Sequence, residues 1–116
     1  MGKVTSEIER IALVARYHRK SHPKPTHLEF AALEPADQRT VRVLAGLLRV
    51  AIGLDRTHEG RVRAVDVRVR RKKERLELTV EARSGADLSL ELFSAQARAG
   101  LLSEALELDV VVEATG

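Results

Sequence analysis

Two apolar stretches in the first half of the chain decide the fold class. Residues 11–20 read Ile-Ala-Leu-Val-Ala-Arg-Tyr-His-Arg-Lys, and residues 47–58 read Leu-Leu-Arg-Val-Ala-Ile-Gly-Leu-Asp-Arg-Thr-His. Each has apolar residues at helical intervals and ends in a cluster of charged side chains and histidine. Pro23 and Pro25 lie between them and interrupt helical geometry. The sequence therefore predicts two separate apolar helices.

The boundaries of these helices follow from capping patterns. Ser6 and Glu9 have the capping-box spacing, which predicts a helix over about residues 7–20. A proline suits the first turn of a helix, so a long helix is predicted from Pro35 to about Thr57. A short helix is expected between them, over residues 27–33.

The second half of the chain changes its period from helical to alternating. Apolar and polar residues alternate over two segments, which predicts two half-buried strands around residues 65–69 and 76–82. Residues 71–74 join them as a hairpin loop. A helix over about residues 88–99, a short helix at 101–105 and a strand at 108–112 complete a β-β-α-β order. We therefore expect an α+β fold in one domain, residues 1–116, with a helical half (1–60) packed with a small antiparallel-sheet half (61–116).

Composition sets limits on function. The chain has 116 residues, 44% hydrophobic and 32% charged, and no cysteine, which excludes disulfides, thiolate metal sites and cysteine nucleophiles. No apolar run approaches the ~20 residues that span a bilayer, and the N-terminus lacks the apolar stretch of a signal peptide. A cytoplasmic location without membrane contact is therefore expected.

Positive charge is concentrated in one segment. The net charge is only +3, but residues 61–75 contain eight Arg or Lys residues against Asp66 and Glu74. Such asymmetry favours an anionic partner on one surface. A solvated hairpin without a ligand explains the segment equally well.

Successive residues of the long helix, placed about 100° apart, divide into two sides. The side expected to face the core consists of Val41, Leu44, Leu48 and Ile52. The opposite arc alternates arginine with glycine and consists of Arg39, Arg42, Gly46, Arg49, Gly53 and Arg56. Three readings of this stripe stay open. It could contact another helix, with Gly46 and Gly53 at a dimer contact; it could hold an extended polyanion; or it could face solvent.

Polar residues near the helix ends are expected to be structural. Asp55 falls on the apolar side of the long helix, where a carboxylate needs a partner. The candidates are His18, Arg16 and Arg19 at the end of the first helix. His18 and His22 have a spacing that suits metal ligands, but Pro23 makes helical geometry there unfavourable, so no metal site is expected. The sequence contains no nucleophile-elbow, Walker or dinucleotide-binding motif.

The two terminal clusters carry a family resemblance. With Arg-Tyr-His-Arg-Lys at 16–20 and Leu-Asp-Arg-Thr-His at 54–58, in that order, the chain resembles the C-terminal region of the Ppx/GppA phosphatases, which act on inorganic polyphosphate and guanosine pentaphosphate. The resemblance implies that catalysis lies in a preceding actin-like region, where Mg²⁺ is expected. It also implies HD-like helices, with Ile52 at the position of a metal ligand. An alkyl group binds no metal, so we expect neither a cofactor nor catalysis in this chain.

The function implied is that of an accessory C-terminal domain that helps to hold polyphosphate and contributes to dimer contacts. The expected partners are a polyanion, a catalytic actin-like domain in cis or in trans, and a second copy of the chain. The expected polyanion contacts are Arg19, Lys20, Arg49, Arg56, Arg68 and Arg70. One alternative is a nucleic-acid-binding module, although the three aromatic residues, Tyr17, Phe30 and Phe93, lie outside the basic segment. Another is a dimerisation or regulatory module without a ligand.

Overall fold

The computed structural model describes residues 27–115, and its elements form an α+β fold, as predicted. The elements in chain order are helix α1 (Leu28–Ala31), helix α2 (Pro35–Leu54), strand β1 (Val62–Arg70), strand β2 (Arg75–Ala82), helix α3 (Ser89–Ala97), helix α4 (Gly100–Leu106) and strand β3 (Asp109–Ala114). The helix predicted over residues 7–20, with His18, Arg19 and Lys20, lies outside the described residues.

The three strands form one sheet in the order β1-β2-β3. β1 and β2 are antiparallel, from Val62 opposite Ala82 to Arg70 opposite Arg75, with an irregularity between Val62 and Ala64. β2 and β3 are parallel. The prediction of an antiparallel sheet is therefore wrong for β3. The two helices between β2 and β3 return the chain to the end of the sheet where β2 begins, and a strand that starts there must run parallel to β2.

Helices α3 and α4 cover one face of the sheet, and α2 packs against both of them. The main core lies between these helices and the sheet. Its buried side chains include Leu76, Leu78, Val80, Ala95, Leu102, Val110 and Val112, with Val50 from α2. A second cluster joins α1, α2 and α4 through Phe30, Val41, Ala45 and Leu101. The long helix therefore links the helical half to the helices that cover the sheet.

The packed side of the long helix is only partly the one predicted, since its buried residues are Val41, Ala45, Gly46, Arg49, Val50 and Gly53. Leu44, Leu48 and Ile52 are between 38% and 45% exposed, so their assignment to the core is wrong, whereas Val41 is buried. The buried side of α2 contains Gly46, Gly53 and their neighbours. Leucine content alone therefore does not identify the packed side of this helix.

The glycines explain this orientation. A Cβ atom on Gly46 would lie 2.7 Å from the Cα of Leu102 in α4, and one on Gly53 would lie 2.6 Å from the Cα of Ala95 in α3. These distances are shorter than any side-chain atom tolerates, so α2 reaches the backbones of both helices only where it lacks side chains. Both contacts are within one chain, not across a dimer. Within the described residues, no helix has the length and hydropathy to cross a membrane.

Candidate functional site

The basic segment forms a hairpin whose turn is built without glycine. Residues Arg71–Lys73 form a single 3-10 turn, and Glu74 follows in the left-handed region with φ 49°. The Glu74 N–H donates to the Arg71 carbonyl over 3.1 Å. A left-handed conformation costs a residue other than glycine about 1 kcal/mol, and this turn places the side chains of three consecutive cations at the end of the hairpin. We call Arg71, Lys72 and Lys73 the hairpin tip.

All three side chains of the hairpin tip are exposed. None of them forms an ion pair with any residue in the range 27–115. The tip therefore presents three positive charges that no neighbouring carboxylate neutralises. Sequence reasoning recognised the basic segment but assigned its anion contacts to Arg68 and Arg70 rather than to the tip.

Arg68 and Arg70 lie on β1, and both have acidic neighbours. The Arg68 Nε lies 3.7 Å from the Asp66 carboxylate, and the Arg70 Nε donates to Glu77 over 3.0 Å. The hydrogen bond from Arg70 lowers the pKa of Glu77, and Arg75 lowers it further. A polyanion that engages Arg68 or Arg70 would have to compete with these carboxylates. The tip offers no such competition.

Arg49 and Arg56 do not share a surface with the tip. Arg49 is only 9% exposed, and burial lowers its pKa, with the charge of Arg98 nearby acting in the same direction. Arg49 is therefore less accessible to a polyanion than the exposed cations are, and its contact with one stays a prediction. Arg56 is exposed, but it follows the end of α2, before β1 begins. The nine residues of β1 extend about 30 Å, so Arg56 and the tip lie toward opposite ends of this strand.

Asp55 is not the buried carboxylate that the sequence predicted. It follows the last residue of α2 with its side chain 61% exposed, and its Oδ2 lies 3.3 Å from the Nδ1 of His58. The prediction of a buried ion pair is therefore wrong, because the side of α2 on which Asp55 lies is open to solvent. Its expected partner, His18, lies outside the described residues.

The buried carboxylate is Glu91 of α3. It is 1% exposed, and its Oε2 accepts a hydrogen bond of 2.6 Å from the Thr57 hydroxyl, which lowers the pKa of Glu91. Its Oε1 is buried without a hydrogen-bond partner. Thr57 lies in the Leu-Asp-Arg-Thr-His motif, so this motif joins the end of α2 to α3. Sequence reasoning missed the pair, although Glu91 lies three residues after Leu88 and four before Ala95, on the face of α3 that these buried residues share.

The remaining features of the described residues do not suit a metal or a polyanion. Within residues 27–115, no three His, Asp or Glu side chains are close enough to hold a metal ion. A groove of about 380 Å³ lies at the end of β2, lined mainly by apolar side chains and by Asp87. Hydrogen bonds from Ser89 lower the pKa of Asp87, which keeps this carboxylate negative. The groove would therefore repel a polyanion, and the hairpin tip is the better candidate.

Comparison with known protein families identifies the family of this chain. The family model described as Ppx/GppA phosphatase, domain III, matches residues 1–98 of the chain. This range includes both sequence clusters, the basic hairpin and α3, and it ends before α4. No curated protein matches the chain.

Proposed function

The chain belongs to the Ppx/GppA phosphatase family, to whose domain III it corresponds, and we propose that this accessory domain holds polyphosphate, or a similar polyanion, at the hairpin tip. The observation that supports the proposal is a set of three exposed cations that have no carboxylate partner among residues 27–115. In this proposal the domain also contributes to a homodimer, and a cytoplasmic actin-like domain, in cis or in trans, supplies catalysis with Mg²⁺. The chain alone would release no phosphate from polyphosphate.

Polyphosphate can bind the hairpin tip without displacing a carboxylate of the described residues. An exposed cation that is already paired with a carboxylate gains little from a phosphate, because exchanging one partner for another leaves the charge balance unchanged. Arg71, Lys72 and Lys73 form no such pair with any residue that the structure describes. A 3-10 turn also separates successive side chains by about 120°, so a flexible chain of phosphates can contact them in sequence. Binding of this kind depends on salt, because it releases counterions.

The distribution of aromatic residues favours polyphosphate over nucleic acid. Phe30 is buried in the second core cluster, and Phe93 is exposed on α3. Neither lies on the hairpin, and Tyr17 lies outside the described residues. Modules that bind single-stranded nucleic acid rely on aromatic side chains for base stacking. A nucleic acid would therefore meet only the charges of the hairpin, which a simpler polyanion satisfies equally well.

The test is a calorimetric titration of the chain with long-chain polyphosphate at near-physiological salt. The tip variant is Lys72→Gln/Lys73→Gln, and the matched control is Arg39→Gln/Arg83→Gln. The control also removes two exposed cations, neither of which has an ion-pair partner in the described part of the chain. An exposed charge contact contributes up to about 1 kcal/mol, so we expect the tip variant to bind roughly tenfold more weakly and the control to bind like the wild type.

Three results would overturn parts of the proposal. Equal losses in both variants would show that net charge, not the tip, determines binding. An absence of saturable binding would remove the polyanion role and favour a dimerisation or regulatory module. Tighter binding of single-stranded RNA than of polyphosphate would favour the nucleic-acid module. A separate assay of phosphate release tests catalysis, since hydrolysis by the pure chain would contradict the non-catalytic assignment.

A further inference from the structure

The inference concerns β1, which forms one edge of the sheet. β1 is an edge strand of nine residues without proline. Its Val65, Val67 and Val69 are between 41% and 57% exposed, although the β2 residues opposite them are buried beneath the helices. Among residues 27–115, the helices therefore cover β2 and β3 but leave the apolar side of β1 exposed. A long edge strand with an exposed apolar side is a typical site for pairing with another strand.

Within the part of the chain that the structure describes, no strand pairs with the outer backbone groups of these same valines. The carbonyl of Glu74, just before β2, accepts a hydrogen bond from the N–H of Asp109 in β3, and the carbonyl of Val80 in β2 accepts one from the N–H of Thr115, just after β3. Because backbone groups along a strand alternate in direction, the odd-numbered residues of β2 bond to β1. Their partners in β1 are the even-numbered residues 64, 66, 68 and 70. The N–H and C=O groups of Val65, Val67 and Val69 consequently point outward from the sheet.

We propose that β1 pairs with β1 of a second copy of this chain, antiparallel and centred on Val67, and that the two sheets join into one of six strands. The inference rests on the dimer part of the proposed function and locates that contact. Val67 then lies opposite Val67 of the second copy, and Val65 lies opposite its Val69. All three are residues with outward backbone groups, so about six hydrogen bonds would form across the dyad.

Charge complementarity selects this register. Centring the pair on Val67 places Asp66 opposite Arg68 of the second copy, twice by symmetry. Pairs of opposite charge across two strands are stabilising, and pairs of like charge are destabilising. Centring the pair on Val69 would place Arg68 opposite Arg70. Centring it on Val65 would place Asp66 opposite Ala64 and shorten the overlap, so neither alternative matches the charges.

Charge reversal tests the register directly. Asp66→Arg places arginine opposite arginine in a homodimer, and Arg68→Asp places aspartate opposite aspartate. Both side chains are exposed on the outer face of the sheet, so neither change should disturb the fold. An equimolar mixture of the two variants restores both opposite-charge pairs. Self-association is measured by sedimentation equilibrium without polyphosphate, so that this proposal and the polyanion proposal can fail separately.

We expect the wild type to dimerise, each single variant to associate at least tenfold more weakly, and the mixture to recover the wild-type association. A second variant, Val67→Pro, removes an outward N–H without breaking a bond to β2, and edge strands tolerate proline at such positions. It should also prevent dimerisation, whereas Lys72→Gln/Lys73→Gln should not. Circular dichroism checks that each variant is folded.

Two outcomes would overturn the proposal. A wild-type chain that stays monomeric at all concentrations would contradict it, including the case in which hydrogen exchange shows the β1 amides protected by another part of the same chain. A dimer that survives Val67→Pro and both charge reversals would place the contact elsewhere.

Discussion

β1 and β3 are the two edges of one sheet, and the protein treats them differently. Two of the outward backbone groups of β3 are satisfied by Gln96 of α3. Its Nε2 donates to the Val110 carbonyl over 2.9 Å, and its Oε1 accepts from the Val112 N–H over 2.8 Å. Among the described residues, nothing comparable covers β1, whose residues are almost all exposed.

We therefore expect one part of the protein to determine the stability of the fold and another part to determine its contacts with partners. The covered side, consisting of β2, β3, α3 and α4 with α2 against the helices, contains the buried apolar residues of the main core. The open side, consisting of β1 and the hairpin tip, contains exposed valines and exposed cations. Substitutions on the covered side should therefore change the free energy of unfolding, and those on the open side should change association. Four variants test this expectation, in order of decreasing effect on the free energy of unfolding.

Gly53→Leu should have the largest effect on stability. A side chain at this position would collide with the backbone of α3, which cannot move without disturbing the core. Overpacking costs roughly 1–3 kcal/mol and sometimes more, and a collision with backbone belongs to the upper end, so we expect a loss of about 3 kcal/mol or more in urea unfolding. Gly100→Leu is the control, because a Cβ there meets no atom within 4 Å. A folded Gly53→Leu monomer of unchanged stability that no longer dimerises would favour a glycine-mediated dimer contact instead.

Thr57→Val should have the next largest effect and should depend on pH. It removes the hydrogen bond to the buried Glu91 carboxylate, and a lost hydrogen bond to a charged group costs about 1.5–3 kcal/mol. The pKa of Glu91 is lowered in the folded state, so the wild type gains stability above the ordinary pKa of glutamate and loses it as the pH falls through the folded value. Thr57→Val should weaken this dependence.

Urea unfolding of both proteins between pH 7 and pH 3 measures the difference. Thr57→Ser keeps the hydroxyl group and should retain most of the dependence on pH. Parallel curves for the wild type and Thr57→Val would show that the hydroxyl does not stabilise the charged carboxylate.

Gln96→Ala sharpens the comparison between the two edges. It exposes the outer groups of Val110 and Val112, and since water can partly replace the lost bonds, we expect a loss of about 1 kcal/mol. Gln96→Glu keeps the acceptor for the Val112 N–H and should lose less. Hydrogen exchange of the Val112 amide should accelerate in Gln96→Ala. An unchanged rate would mean that Gln96 does not protect this edge.

Lys72→Gln/Lys73→Gln should have the smallest effect on stability. Exposed side chains without partners rarely change the free energy of unfolding by more than about 0.5 kcal/mol. Thermal unfolding should therefore resemble that of the wild type, even where polyphosphate binding is weakened. A large loss of stability would place the tip among the structural elements.

The sequence predicted the strands better than the helix packing, for physical reasons. Period-two alternation located β1 and β2, because side chains of a strand alternate between two faces. Alternation does not report direction, so the parallel β3 could not be predicted. On α2, the grouping of large apolar residues by angle was right for Val41 but wrong for Leu44, Leu48 and Ile52, because the close approach at Gly46 and Gly53 determines which side packs.

The candidate site was predicted in part. The density of cations in the sequence located the basic segment. It did not indicate which of these cations lack an ion-pair partner among the described residues. That property depends on the strand register, which brings Glu77 to Arg70 and leaves Lys72 and Lys73 beyond the strands. The burial of Arg49 likewise depends on the side of α2 that packs.

The measurement that tests the central claim most directly is an amide-shift titration of the chain with polyphosphate by nuclear magnetic resonance. We expect the largest shift changes at Arg71, Lys72 and Lys73, with little change in α2 or β3. Changes centred on Arg39, Arg42 and Arg56, with an unchanged hairpin, would contradict binding of polyphosphate at the hairpin tip.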